Sequence, residues 1–263
     1  MIHFTAVIHP KARLDPSVSV GPYAVIDEAV ELGEDCVVGP HVYLTGLMKA
    51  GKGNRFFAGA VLGEAPQDLK YRNEPTGLRI GDNNVFREHV TVHRSAKPGE
   101  DTVIGSGNYF MQHSHVAHNV HVGDHTIIAG GALLAGHVVV QDRAFVSGNC
   151  LVHQFTRVGA LALMQGGAAI SKDLPPYTIA QGINSIRGLN VVGLRRAGIG
   201  PGERLELKRL YRLLFRDGKS VRAAAAAAAG EFKSGPEAAM IGFIAESARG
   251  VCVEGAEHER EEG

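Results

Sequence analysis

Nine of the 13 histidines fall between His89 and His153. A neutral imidazole accepts a proton near neutral pH, and three of them can hold a zinc ion, so the cluster points to acid–base or metal chemistry. His113 and His118 stand five residues apart, a spacing two zinc ligands can take. His118, Gly136 and Gln154 follow one another at intervals of 18 residues. If the fold stacks residues at that interval, His118 lies beside a backbone with no side chain to block approach, next to an amide that can orient a polar substrate.

The element that stacks them is legible as a period of six. From Ile8 an apolar residue recurs at Leu14, Val20, Ile26, Leu32, Val38, Leu44, Ala50, Phe56 and Leu62, and a second small apolar position recurs at Ala12, Val18, Ala24, Val30, Cys36, Val42, Met48 and Ala60. A second block runs from Ile104 through Phe110, Val116, Val122, Ile128, Leu134, Val140, Val146, Val152, Val158 and Met164 to Ile170. Six matches neither a 3.6-residue helix nor a two-residue strand alone, but it fits a short strand and a turn, repeated. The alternative, a β-sandwich with evenly spaced strands, does not account for registers that run unbroken through each block. The pattern resembles the hexapeptide repeat of left-handed parallel β-helices, in which three units make a coil of about 18 residues around a triangular prism. The left hand comes from that resemblance, since the general rule for parallel crossovers favours the right.

The expected organisation is an all-β solenoid over residues 1–185 with loop insertions at 64–79 and 95–102, followed by a small α-helical domain over 186–263. The repeat stops after Ile170, and Asp173, Pro175 and Pro176 mark the exit. Leu207, Leu210, Tyr211 and Leu214 have the spacing of an amphipathic helix ended by Gly218. An alanine run from Ala223 to Ala229 ends at Gly230, and Ser234 with Pro236 opens a last helix closed by Gly250. The tail after Val253 reads as frayed.

Composition limits the function. The chain carries 27 basic and 27 acidic residues, so no overall field draws it to nucleic acid or an anionic membrane. Three cysteines without metal-type spacing argue against a disulfide framework. No stretch approaches the roughly 20 apolar residues of a membrane span, and the N-terminus lacks a basic segment followed by an apolar run. The chain reads as soluble and cytoplasmic. Three function classes stay open at this point: acyl transfer with a histidine base, a zinc enzyme like the γ-class carbonic anhydrases, and a scaffold without catalysis.

EAPQDLKYRNEPT at 64–76, HR at 93–94, HVAHN at 115–119, LAGH at 134–137, VHQF at 152–155 and PPYTIAQG at 175–182 resemble the UDP-N-acetylglucosamine O-acyltransferases over essentially the whole chain. The resemblance implies the first step of lipid A synthesis, passage of a 3-hydroxyacyl chain from acyl carrier protein to the 3-hydroxyl of UDP-N-acetylglucosamine. It implies a homotrimer with sites between subunits, and no cofactor or metal. His118 would be the general base and the Gly136 N–H the oxyanion donor. Asp68, Lys70, His93, His115, His137 and Gln154 would hold the sugar or line the cleft, and His153 would sit near the acyl chain. Asn190 and Arg196 would meet the nucleotide. Asn119 stands where the family usually has Asp, and Val192 and Ala197 depart from its usual Glu and Arg. A 3-amino sugar therefore stays open as acceptor. From Arg195 to Arg222 nine basic residues face three acidic ones, which suits an acidic carrier protein.

Overall fold

The computed structural model describes residues 1–216 and 220–255. Short strands, nearly all parallel and most of two residues, form three sheets of nine, eight and eleven strands, and through Ala169–Ile170 every third strand along the chain is a neighbour within its sheet. A coil therefore visits each face once, and the faces close a left-handed parallel β-helix. Pairs such as Val7↔Val25, Arg13↔Glu31 and Ser19↔Val37 fix the 18-residue register. In most of the two-residue strands the second residue points inward, so Ile26, Leu44, Val116 and Leu134 are fully buried, as is Leu62. Phe56, Phe86 and Phe110 stack down the interior with centroids 5.3 and 4.9 Å apart. The faces are too narrow to bury much alone, so each coil is stabilised by its neighbours.

The corners explain much of the histidine cluster. His41, His89, His113, His125 and His137 all have positive φ, as do Asn83, Asn119 and Asn149. Tight corners force the left-handed region, which Asn, Asp and His tolerate better than other side chains. Four of the nine clustered histidines thus have a backbone reason to be there.

Two segments leave the prism. Strands Val61–Glu64 and Gly77–Ile80 limit the first interruption to 65–76, and strand Asp101–Ile104 ends the second at residue 100, both tighter than the sequence suggests. Arg94 ties them together, donating to the Gly63 carbonyl at 2.8 Å and to the Tyr71 hydroxyl at 3.3 Å.

The solenoid also outlasts the repeat. Thr178–Gln181 pairs in parallel with Leu163–Met164, Ile179 opposite Leu163, so one further coil follows Ile170. It is 16 residues long instead of 18, which breaks the period. Ser185–Leu189 then folds back antiparallel, and Val253–Glu254 adds in parallel beyond it. The reading of everything past Val253 as frayed is corrected for Glu254, whose carboxylate takes Tyr211 Oη at 2.6 Å and Arg216 Nη2 at 2.9 Å. Residues 256–263 and Gly218 lie outside the described residues.

Four helices, α1 (Val191–Arg196), α2 (Pro201–Phe215), α3 (Val221–Ala228) and α4 (Gly235–Ala245), pack around Leu207, Leu210, Leu214, Ala225, Met240 and Ile244. The last ends at Ala245, before the expected Gly250. An ion pair ties this layer to the prism. Arg157 Nε donates to Asp173 Oδ2 at 2.9 Å, Ser247 Oγ donates to the same oxygen at 2.8 Å, and Arg157 Nη2 reaches the Phe243 carbonyl at 2.7 Å.

Candidate active site

A cleft of about 540 Å³ opens on the nine-stranded face, lined at one end by His115, His118, Gly136 and Gln67 and along its length by Leu133, Leu151, Val152, Ile170 and Ile183. His118 follows the strand His115–Val116 in the turn that begins the next corner. The His137 N–H donates to the His118 carbonyl at 3.0 Å and the Phe155 N–H to the Gly136 carbonyl at 3.1 Å, so His118, Gly136 and Gln154 form one column. A Cβ placed on Gly136 would meet His118 Cε1 at 2.7 Å and Nε2 at 2.8 Å. Only glycine fits beneath that ring. Among the described residues, the Gly136 N–H has no hydrogen-bond acceptor.

The tautomer of His118 follows from its partner. His118 Nδ1 lies 2.9 Å from Asn119 Oδ1, and that oxygen also accepts the Ala96 N–H at 3.0 Å. The Asn119 amide nitrogen donates to Ser95 Oγ at 2.7 Å and Glu100 Oε2 at 3.1 Å. A flipped amide would set NH₂ against N–H and oxygen against carboxylate, so the oxygen faces His118 and Nδ1 must carry the proton. Nε2 is left with its lone pair.

Burial lowers the pKa of three histidines in or against the cleft. Burial pushes His115 down to about 4, with His93 adding to the effect, while Thr91 Oγ1 lies 2.7 Å from its Nδ1. Burial also lowers His93, which meets His115 edge-on at 5.1 Å and whose own Nδ1 has no partner among the described residues. His137 is lowered by burial and by His118, and its ring stacks on Phe155 at 4.6 Å. The groove beside them is lined by Leu133, Leu151, Val152, Ile170 and Ile183, which suits an acyl chain. Among the described residues no group of three His, Cys, Asp or Glu is placed to hold a metal. His113 stacks on His89 at a corner, 5.2 Å between centroids, whereas His118 lies against His137, so the five-residue pair does not converge.

Residues 173–252 match the family described as Udp N-acetylglucosamine O-acyltransferase, Domain 2, and residues 101–136 match the bacterial transferase hexapeptide, six repeats. The acyl-[acyl-carrier-protein]–UDP-N-acetylglucosamine O-acyltransferase of Thermodesulfovibrio yellowstonii is 41% identical over 95% of this chain and 98% of its own. The chain belongs to this family. The enzyme of the same name from Alkalilimnicola ehrlichii is 45% identical over 94% of this chain and 96% of its own. The crystal structure of the Francisella novicida UDP-N-acetylglucosamine acyltransferase superposes with a TM-score of 0.92 at 34% identity, covering 98% of this chain and 95% of that one. Membership displaces the anhydrase and scaffold readings, and this member is an acyltransferase.

The fold brings only some of the expected O-acyltransferase residues together. His115, His118, Gly136 and His153 line one cleft, with His93, Asn119 and His137 against them. Gln154 is exposed at the foot of the column. Asp68 and Lys70 lie on the first interruption, where Asp68 Oδ1 accepts the Lys70 N–H at 2.9 Å. Asn190 is buried, caps α1 by accepting the Gly193 N–H at 3.0 Å, and donates to the Leu161 carbonyl at 2.9 Å, which leaves one amide N–H and one oxygen lone pair for a ligand. Arg196 is exposed at the end of α1. Sequence reasoning missed Thr91, Ser95 and Glu100. The second interruption stretches the coil to 24 residues, Thr91 opposite His115, and carrying the register across at that length places Ser95 under Asn119.

Proposed function

We propose that this chain performs the reaction its relatives' names describe, moving a 3-hydroxyacyl chain from acyl carrier protein to the 3-hydroxyl of UDP-N-acetylglucosamine at the start of lipid A synthesis. The observation that carries the mechanism is the His118 ring, its Nδ1–H committed to Asn119, lying over the bare backbone of Gly136. Nε2 takes the proton of the sugar hydroxyl as the oxygen attacks the thioester carbonyl. The oxyanion that forms accepts the Gly136 N–H. Collapse of the tetrahedral intermediate breaks the carbon–sulfur bond, and the departing thiolate takes the proton from the imidazolium. Leu133, Leu151, Val152, Ile170 and Ile183 offer the acyl chain an apolar wall, worth about 0.8 kcal/mol for each methylene buried.

Asp68, Lys70, His153, Gln154 and Arg196 belong to this proposal as substrate contacts completed by a neighbouring subunit. Two outer faces are apolar, with Leu133 and Leu151 on one and Ile127, Phe145 and Leu163 on another, while the third carries Arg13, Glu31, Lys49 and Arg79. Subunits around a threefold axis each meet two neighbours, which supports a homotrimer with clefts between subunits.

His118→Ala is expected to reduce kcat by about 100-fold or more with the far-ultraviolet circular dichroism unchanged. Retention of more than about a tenth of the wild-type rate removes His118 from the role.

A further inference from the structure

Asn119 uses every hydrogen-bonding position of its amide. Its oxygen takes the Ala96 N–H and faces His118 Nδ1, and its nitrogen donates to Ser95 Oγ and Glu100 Oε2. Ser95 Oγ donates in turn to the Lys97 carbonyl at 3.1 Å, so it receives the amide proton as an acceptor. The Asn119 N–H donates to Thr102 Oγ1 at 2.8 Å, and the residue holds φ at 57°, a conformation Asn and Asp share. Among the described residues Glu100 is the one carboxylate hydrogen-bonded to this network, and its other oxygen pairs with Lys97. It sits in the insertion that lengthens the coil, so no other coil repeats the arrangement.

We propose that Glu100 is a positioning residue for His118, acting through Asn119: it fixes the amide so that its oxygen faces Nδ1–H, and it supplies from one residue further out the negative charge an aspartate at position 119 would have supplied directly. This rests on the reading of His118 as the base. The Lys97 ammonium beside Glu100 holds its carboxyl below the usual carboxylate range, so the group is charged at neutral pH. Because Lys97 shares that charge and Glu100 is partly exposed, the effect is smaller than that of a carboxylate touching the imidazole.

The groups facing His118 are His137 at 5.3 Å, His93, whose ionisation couples to that of His118, and the Asn119–Glu100–Lys97 chain. Asp68 acts on His137, and Glu64 and Arg94 act on His93. Since neutral His93 and His137 add no charge near neutral pH, Glu100 and Lys97 dominate the local balance. Removing the carboxylate disfavours the imidazolium, and removing the ammonium favours it.

The test is kcat/KM against pH, with kcat and KM for the UDP-sugar, in purified full-length variants. Glu100→Ala is expected to lower kcat about tenfold with KM little changed. Glu100→Gln keeps an acceptor for the amide but no charge, so it loses less in kcat and its acidic limb moves to lower pH. Lys97→Met moves that limb to higher pH. Asn119→Asp beside Glu100 sets two carboxylates within hydrogen-bond distance, whereas Asn119→Asp with Glu100→Gln transposes amide and carboxylate and is expected to be the faster of the two. Wild-type kinetics and profile in Glu100→Gln overturn the proposal, as does a loss that the transposed pair does not recover. His118→Ala run alongside separates the cases: if it is inactive while Glu100→Gln is normal, only the Glu100 role falls, and if it is active, the reading of His118 falls with it.

Discussion

The contact between His118 and Gly136 places the base and the oxyanion donor within one small volume, and it leaves no room for a methyl group. Gly136→Ala would push the imidazole off the column and weaken its bond to Asn119, while the φ at this position is not in the left-handed region and the backbone tolerates alanine. The expected outcome is a loss in kcat of about 100-fold with melting temperature shifted by only a few degrees. Steady-state kinetics beside a thermal melt check it, and unchanged kcat would mean that the ring has another place to sit. The column was legible in the sequence because 18-residue spacing survives from His118 through Gly136 to Gln154. Glu100 was not legible, because the insertion shifts the register exactly where the network forms its link to the base, and an exposed acidic residue in a loop carries no periodic signal.

At the scale of elements, the prism and the helical layer are joined through Asp173, a carboxylate that is almost fully buried and receives hydrogen bonds from Arg157 and Ser247. Asp173→Asn leaves the Arg157 charge, itself largely buried, with only the exposed Glu246 carboxylate at 3.4 Å as counterion, which costs about 3 kcal/mol. Urea or thermal unfolding is expected to show this as a fall of roughly 6 to 12 °C in Tm. A double variant, Asp173→Asn with Arg157→Met, is expected to be more stable than the single one, because no unpaired charge remains. The sequence marked Asp173 only as the end of the repeat. The apolar period reads strands that obey it, and so it found the prism through Ile170. It could not find the 16-residue coil ending at Gln181 or the strand Val253–Glu254, which depend on contacts made far along the chain.

The proposed trimer and the acyl carrier protein each call for a surface of this molecule. Phe145 and Ile127 lie half-buried on the outer side of the eleven-stranded face, and a trimer would cover them. Light scattering is expected to give three copies for the wild type, and Phe145→Glu, which puts a charge on that face, is expected to lower the assembled fraction at micromolar concentration. A monomeric wild type would overturn the trimer. We propose a separate surface for the carrier on α2. Arg204, Lys208, Arg212 and Arg216 line a groove of about 370 Å³ with Val191, Leu194 and Leu205. Arg209 and Arg216 are paired with Glu231 and Glu254, while Lys208 and Arg212 are exposed on α2. An acidic carrier would be steered to these two side chains, and the steering weakens as salt shortens the Debye length from about 10 Å at 0.1 M to about 3 Å at 1 M. Reversing both charges, Lys208→Glu with Arg212→Glu, is therefore expected to raise KM for the acyl carrier protein about tenfold at low ionic strength, to lose most of that difference near 0.5 M salt, and to leave KM for the UDP-sugar unchanged. A rise in KM for both substrates, or one that salt does not relieve, would show that the helix acts on the fold of the site and not on the approach of the carrier.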